Sequence, residues 1–231
     1  MLFRSHVINP SLRSDLPYDP LRDFAPLTLI GSSMLAMVAS PSLPATSVPE
    51  LISLAQSSRD PFAFASLGVN NTTHLAGELF NAMAGTRLVH VPYNGSPPAY
   101  QDMLAGRVPL GFVTLQSALP HLKSGRLKLI GLVASRRNRS YPDLPVIGET
   151  LKGYQVDSFM GFVAPAAVPR EIQAKMAGDL IRVLKSDDVQ AKLVEFGVEP
   201  LAYSPEAFAT YLREEIAKWG PVVRAAGLKP E

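Results

Sequence analysis

The sequence contains no cysteine. That excludes a disulfide framework, a thiolate metal site and a cysteine nucleophile. It has little net charge: 22 Lys and Arg stand against 20 Asp and Glu, a balance of +2. So even a balance argues against nucleic acid as a partner. The one basic cluster, Arg136, Arg137 and Arg139, reads as a solvated turn. Long apolar runs are also missing. Phe24 to Pro49 carries no charge, but Pro26, Gly31, Ser32, Ser33 and Pro41 break it up. The pieces fall short of the ~20 apolar residues a membrane span needs. They read instead as two buried strands. No apolar signal region follows Met1-Leu2-Phe3-Arg4. Apolar residues as such are plentiful: 47% of 231, which excludes a disordered chain.

What is present alternates. Short apolar runs at 25–30, 34–40, 62–65, 87–91, 108–112, 127–134 and 156–164 are bounded by Gly, Pro or polar residues and read as strands. Helices are expected between them. Ser47-Val48-Pro49-Glu50 is a capping box opening a helix to about Ser57. Thr73 is the expected cap of a helix over 74–84, stopped by Gly85. Ser96-Pro97 opens a helix to Leu104, and a short one spans 115–123. Strand–helix–strand repetition predicts an α/β fold with a largely parallel sheet. Three amphipathic helices close the chain, over 169–184, 187–196 and 205–226. The start, with Asn9-Pro10 and Leu16-Pro17-Tyr18-Asp19-Pro20, reads as loop with no strand of its own.

Motifs for chemistry are sparse. There is no G-x-S-x-G elbow and no phosphate-binding GK[ST] loop. No His or carboxylate partner stands at metal-ligand spacing, so no metal and no cofactor are expected. His6, His90 and His121 are scattered and read as structural. The informative segment is Phe64 to Glu78, where a strand runs through a small polar loop into a helix. Free N–H groups and the positive helix end there favour an anion. Ser66, Asn71, Thr72 and Thr73 add uncharged donors, which suit a carboxylate. Ordinary helix capping accounts for the same residues. His90-Val91-Pro92-Tyr93-Asn94-Gly95-Ser96-Pro97 is a second strand-end loop, from which Tyr93 and Ser96 could reach a ligand. Tyr93 reads equally well as a packed aromatic with its hydroxyl hydrogen-bonded.

Several segments together resemble one family. They include Leu16-Pro17-Tyr18-Asp19-Pro20, Asp23-Phe24-Ala25-Pro26, His74-Leu75-Ala76-Gly77-Glu78-Leu79-Phe80 and His90-Val91-Pro92-Tyr93-Asn94-Gly95. Ala118-Leu119-Pro120-His121, Leu144-Pro145-Val146 and Trp219-Gly220 continue the series. In order and spacing they resemble the Bug receptors, the substrate-binding proteins of tripartite tricarboxylate transporters. The resemblance implies a type II periplasmic-binding-protein-like α/β fold of two lobes with a cleft between them. It implies a small carboxylate as ligand, membrane permease subunits as partners, a periplasmic location and no catalysis.

Carried over residue by residue, Ser66, Gly68, Asn71, Thr72, Thr73 and His74 are expected to hold the carboxylate. Tyr93 and Ser96 would line the wall of lobe 2, and Ser5 and His6 would face it from lobe 1. The family's signal peptide, first strand and glycine-rich loop have no counterpart here, so lobe 1 is expected to be incomplete and its edge to favour oligomers. The lobes map to 1–41 (lobe 1), 42–162 (lobe 2) and 163–231 (helices returning to lobe 1). Asn70 and Asn71 replace a usual Gly and Thr, and Asn94 a usual Lys. Val113-Thr114 replaces an Asp-Asn pair, so amino acids should be disfavoured as ligands. Two other readings stand beside this one. One is a truncated relative with weak or no binding; the other is a small hydrolase or isomerase using His74 and Glu78.

Overall fold

The computed structural model describes residues 2–225 apart from positions 4, 14, 70, 138–140 and 157. Arg139 and Asn70 therefore lie outside the described residues. In chain order the elements begin with β1 (Leu2–Phe3), α1 (Ser5–Leu12), β2 (Phe24–Ser33), β3 (Leu35–Ala39), α2 (Val48–Ser57), β4 (Ala63–Ser66) and α3 (Thr72–Ala84). Then come β5 (Val89–Pro92), α4 (Ser96–Leu104), β6 (Leu110–Thr114), α5 (Leu115–Lys123) and β7 (Lys128–Leu132). The last are β8 (Ser158–Pro165), α6 (Arg170–Leu184), α7 (Asp187–Glu195), β9 (Val198–Pro200) and α8 (Pro205–Ala225). Among the described residues no helix is long and apolar enough to cross a membrane.

The chain divides into two compact units. One is Met1–Ser33 with Ser158–Glu231; the other is Met34–Asp157. These boundaries differ from the expected 1–41, 42–162 and 163–231. The reason is strand pairing. β3 pairs with β6 and β7, which places it in the second unit. β8 pairs along its length with β2, which places it in the first.

The first unit holds a four-stranded sheet in the order β1-β8-β2-β9. All its pairings are antiparallel. A largely parallel sheet was expected, and here the pairing is the opposite. The chain leaves this unit by β2 and returns by β8, and a strand returning beside its predecessor pairs antiparallel. The start of the chain is not loop either. Leu2 and Phe3 pair with Gly161 and Met160, and a helix follows in spite of Pro10. Val7 and Ile8 in that helix are buried, and α1 packs on α8. Tertiary packing outweighs the helix-breaking tendency of Pro10. α6 and α8 lie on β2. In α8, buried Trp219 donates its indole N–H to Glu215 Oε2 at 3.0 Å, and Lys218 Nζ lies 3.2 Å from Glu215 Oε1. Ile172, Met176 and Val183 on α6, with Val194 and Phe196 beyond, are exposed.

The second unit holds a five-stranded sheet in the order β5-β4-β6-β3-β7. β4 runs parallel to both β5 and β6, while β3 runs antiparallel to β6 and β7. The parallel expectation is met here, with β3 as the exception. Every residue of β3 is buried, as for a strand covered on both faces. Ser47 caps α2 as expected, accepting from Glu50 N at 3.4 Å, while Glu50 Oε2 accepts from Thr46 N at 2.8 Å. α3 packs closely over β4 because Gly77 has no side chain. A Cβ there would run into the Phe64 ring. Tyr154, fully buried, ties the same helix down by donating its hydroxyl to Ala76 O at 2.8 Å. One sheet edge therefore gathers the starts of three helices. β5, β4 and β6 are parallel neighbours, and each runs at its C-terminal end into α4, α3 and α5 respectively. That edge is where open α/β sheets hold ligands.

Candidate functional site

The β4–α3 turn is built by its own side chains. Asn71 is the N-cap of α3, not Thr73. Its Oδ1 accepts from Thr73 N and His74 N, each at 3.0 Å, and from Thr73 Oγ1 at 2.7 Å. Asn outranks Thr as a cap, and here it stands one residue before the first helical position. Thr73 is inside the helix. Its hydroxyl donates to Asn71 and accepts from Leu67 N at 2.8 Å, so it clamps the turn. Ser66 Oγ donates to Gly68 O at 2.8 Å and lies 2.6 Å from His90 Nε2. Gly68 takes a φ of +139°, a conformation that side-chain-bearing residues rarely adopt.

This inventory divides the expected residues. Ser66, Thr73 and His74 are buried, and the hydroxyls of Ser66 and Thr73 are spent within the turn. Thr72 is different. It is partly exposed at the first helical position, and its N–H and hydroxyl have no hydrogen-bond partner among the described residues. Gly68 N makes only a long contact, 3.4 Å, to Ser66 Oγ. Thr72 is thus the donor of this turn that no other described residue uses.

The β5–α4 turn stands beside it, joined through Tyr93 N, which donates to Ser66 O at 3.0 Å. Tyr93 does not offer its hydroxyl proton to a ligand. That proton goes to Asp102 Oδ2 at 2.6 Å, and Asp102 also accepts from Arg107 Nε at 3.0 Å. Burial, then the Asp102 hydrogen bond, pushes the Tyr93 phenol up to about 12. Tyr93 is the packed, hydrogen-bonded aromatic. Ser96 opens α4 after Gly95, with no side-chain cap, and Pro97 and Pro98 follow. Two prolines remove two N–H groups, so Ser96 supplies the donor of that first turn. The β6–α5 turn completes the edge. Ser117 Oγ donates to Thr114 O at 2.9 Å and accepts from Tyr100 and Thr114 hydroxyls, each at 2.7 Å.

The two lobe-1 candidates lie in the first unit. His6 Nε2 is 2.9 Å from Pro20 O, and its ring stacks on Tyr18 and meets Phe24 edge-on. Burial lowers its pKa. It is a packed ring with one nitrogen committed to the backbone. Ser5 opens α1, and its side chain lies outside the described residues.

One residue brought to the turn was read from the sequence as merely structural. His90 on β5 stacks on His74, with ring centroids 3.7 Å apart and planes 14° apart. Burial and then the neighbouring His74 lower its pKa to about 4. His74 Nε2 lies 3.5 Å from Glu78 Oε1, one helical turn on. His74, His90, Ser66 and Glu78 thus form one polar cluster behind the turn. It carries no accessible nucleophile, because Ser66 is fully buried and its proton is held by Gly68 O. Among the described residues no three His, Cys, Asp or Glu side chains are grouped to hold a metal ion.

Two α/β units, one with an antiparallel sheet and one whose helices start at the carboxyl edge of parallel strands, fit one class. This is a two-lobe, type II periplasmic-binding-protein fold. The family signature described as "Tripartite tricarboxylate transporter family receptor" matches residues 1–228, and the chain belongs to that family. A UPF0065 protein of Bordetella bronchiseptica is 30% identical, over 97% of this chain and 66% of its own length. Protein BugT of Bordetella pertussis is 28% identical, over 95% of this chain and 68% of its own. The chain thus spans about two thirds of these relatives. Among solved structures, Rpa4515 of R. palustris with adipate matches at 31% identity and a TM-score of 0.86, covering 100% of this chain and 78% of that one. The periplasmic binding protein BugD matches at 25% and 0.84, covering 100% and 78%. MatC of Rhodopseudomonas palustris, with bound malate, matches at 28% and 0.77, covering 96% and 75%.

Proposed function

We propose that this chain is a periplasmic solute receptor that binds a small carboxylate, with Thr72 at the centre of the contact, and passes it unchanged to membrane permease subunits. The observation that carries the reading is the shared edge of β5, β4 and β6. Three helices start there, and the turns Leu67 to Asn71 and Tyr93 to Gly95 contain no charged side chain. Helix N-termini with uncharged donors hold anions through N–H groups and the helix dipole. Charge-assisted hydrogen bonds to a carboxylate are roughly twice as strong as neutral ones. The solved relatives that carry adipate and malate support a dicarboxylic acid.

The same neutrality argues against amino acids. Their ammonium group needs an acceptor of opposite charge, and the strand ends offer none. The alternative of a hydrolase or isomerase using His74 and Glu78 is weakened because Ser66, the hydroxyl in their cluster, is buried with its proton on Gly68 O.

The test is a melting panel of adipate, malate, citrate, benzoate, aspartate and glutamate. A hundredfold excess over Kd raises stability by about 2.7 kcal/mol. At least one acid without an ammonium group should raise the melting temperature, and its NMR spectrum after incubation should be unchanged. A larger rise with aspartate than with any simple acid would overturn the specificity. Conversion of the acid would overturn the receptor reading.

A further inference from the structure

We propose that His90 is a positioning residue of the carboxylate turn, its Nε2–H directing the Ser66 hydroxyl onto Gly68 O. The proposal rests on the carboxylate reading above. It begins with a proton count. Ser66 Oγ has two close neighbours, Gly68 O at 2.8 Å and His90 Nε2 at 2.6 Å. A carbonyl oxygen can only accept, so the single hydroxyl proton belongs to Gly68 O. Nε2 must then carry a proton and donate it to Ser66. The opposite tautomer would leave Nε2 as an acceptor. It would compete for the Ser66 proton and release Gly68 O.

The surroundings hold this arrangement in place. His90 is pinned between two rings, His74 at 3.7 Å and Phe64 at 5.2 Å between centroids. The groups facing it are Ser66 and Phe64 from β4 and His74 and Glu78 from α3. Its depressed pKa leaves the ring neutral at physiological pH, with one N–H to place. Gly68, whose carbonyl receives the Ser66 proton, takes a φ of +139°, open to glycine but rarely to other residues, and its N–H makes a long contact of 3.4 Å back to Ser66 Oγ. Fixing the Ser66 hydroxyl on Gly68 O therefore braces the β4–α3 turn that leads to Thr72, where the carboxylate reading puts the contact. Two strands cooperate in this: β5 places the imidazole, and β4 places the serine.

Two substitutions separate positioning from packing. His90→Phe keeps a stacked ring and loses the donor. His90→Gln places an amide N–H near the old Nε2. Three readouts apply: the imidazole tautomer by long-range nitrogen NMR, amide exchange of Leu67 and Gly68, and calorimetric titration with adipate. The wild-type ring should be the Nε2–H tautomer. His90→Phe should speed exchange in the turn and weaken adipate by about tenfold, the loss of one buried hydrogen bond. His90→Gln should restore both. An Nδ1–H tautomer in the wild type overturns the proposal. So does a His90→Phe variant that binds and exchanges like wild type, or a folded His90→Gln variant that fails to rescue. If wild type binds none of the acids, the receptor reading fails, while the tautomer and exchange results still decide the role of His90.

Discussion

Thr72 and Thr73 are neighbours of identical chemistry, and the fold gives them separate work. Thr73 Oγ1 bridges Leu67 N and Asn71 Oδ1 inside the protein, while Thr72 faces outward. Thr72→Ala should therefore weaken carboxylate binding by roughly 1–3 kcal/mol without changing the unfolding midpoint. Thr73→Val should destabilise the fold by about 1–3 kcal/mol, because it leaves the Leu67 N–H without its acceptor. Urea unfolding and titration calorimetry on both variants check the split. Protonation divides residues in the same way. His90 and His6 both have folded pKa values below the unfolded value of 6.5. Each binds fewer protons folded than unfolded, so each favours the fold fully above pH 6.5 and loses that contribution as pH falls. For His90 the loss runs from 6.5 down to about 4. Stability should decline across that window, and His90→Gln should make the decline shallower. The sequence made the polar turn legible from Ser66 to His74. It did not rank the hydroxyls, because which one faces solvent depends on the position of the cap. His90 stayed hidden because it lies 24 residues from Ser66 and arrives only through the β4–β5 register.

At the scale of elements, hydrophobic runs and cap residues located most strands and helices within a few residues. The α2 capping box and the Gly85 stop stand where they were expected, the latter with a φ of +62°. α1 was missed because Pro10 argues against a helix, and nothing local announces that Val7 and Ile8 will be buried. The antiparallel pairing of β2 with β8 was equally invisible, since their partnership spans the whole second unit. The close approach of α3 to β4 has a direct test. Gly77→Ala puts a methyl into the space of the Phe64 ring, where overpacking typically costs about 1–3 kcal/mol. Thermal unfolding of that variant should show the loss. A neutral substitution would mean that α3 sits farther from the sheet than described.

At the scale of the whole molecule, the family is legible because many weak motifs recur in order, and a family signature covers residues 1–228. The unit boundaries were less legible. The strand over 34–40 falls with the preceding one inside the expected lobe-1 segment 1–41, although the hydrogen bonds of β3 go to β6 and β7. Ligand choice is the property the sequence constrains least, because the chemistry of the turn is shared by any small carboxylate. The central claim is that the carboxyl edge of β5, β4 and β6 holds such an acid through Thr72. Calorimetric titration of the protein and of Thr72→Ala with adipate and malate tests it most directly. The expected result is saturable heat with one site and a Kd on the order of micromolar, near −8 kcal/mol, weakened roughly five- to 160-fold in Thr72→Ala. Equal affinity in both proteins, or no saturable heat from either acid, would contradict the claim.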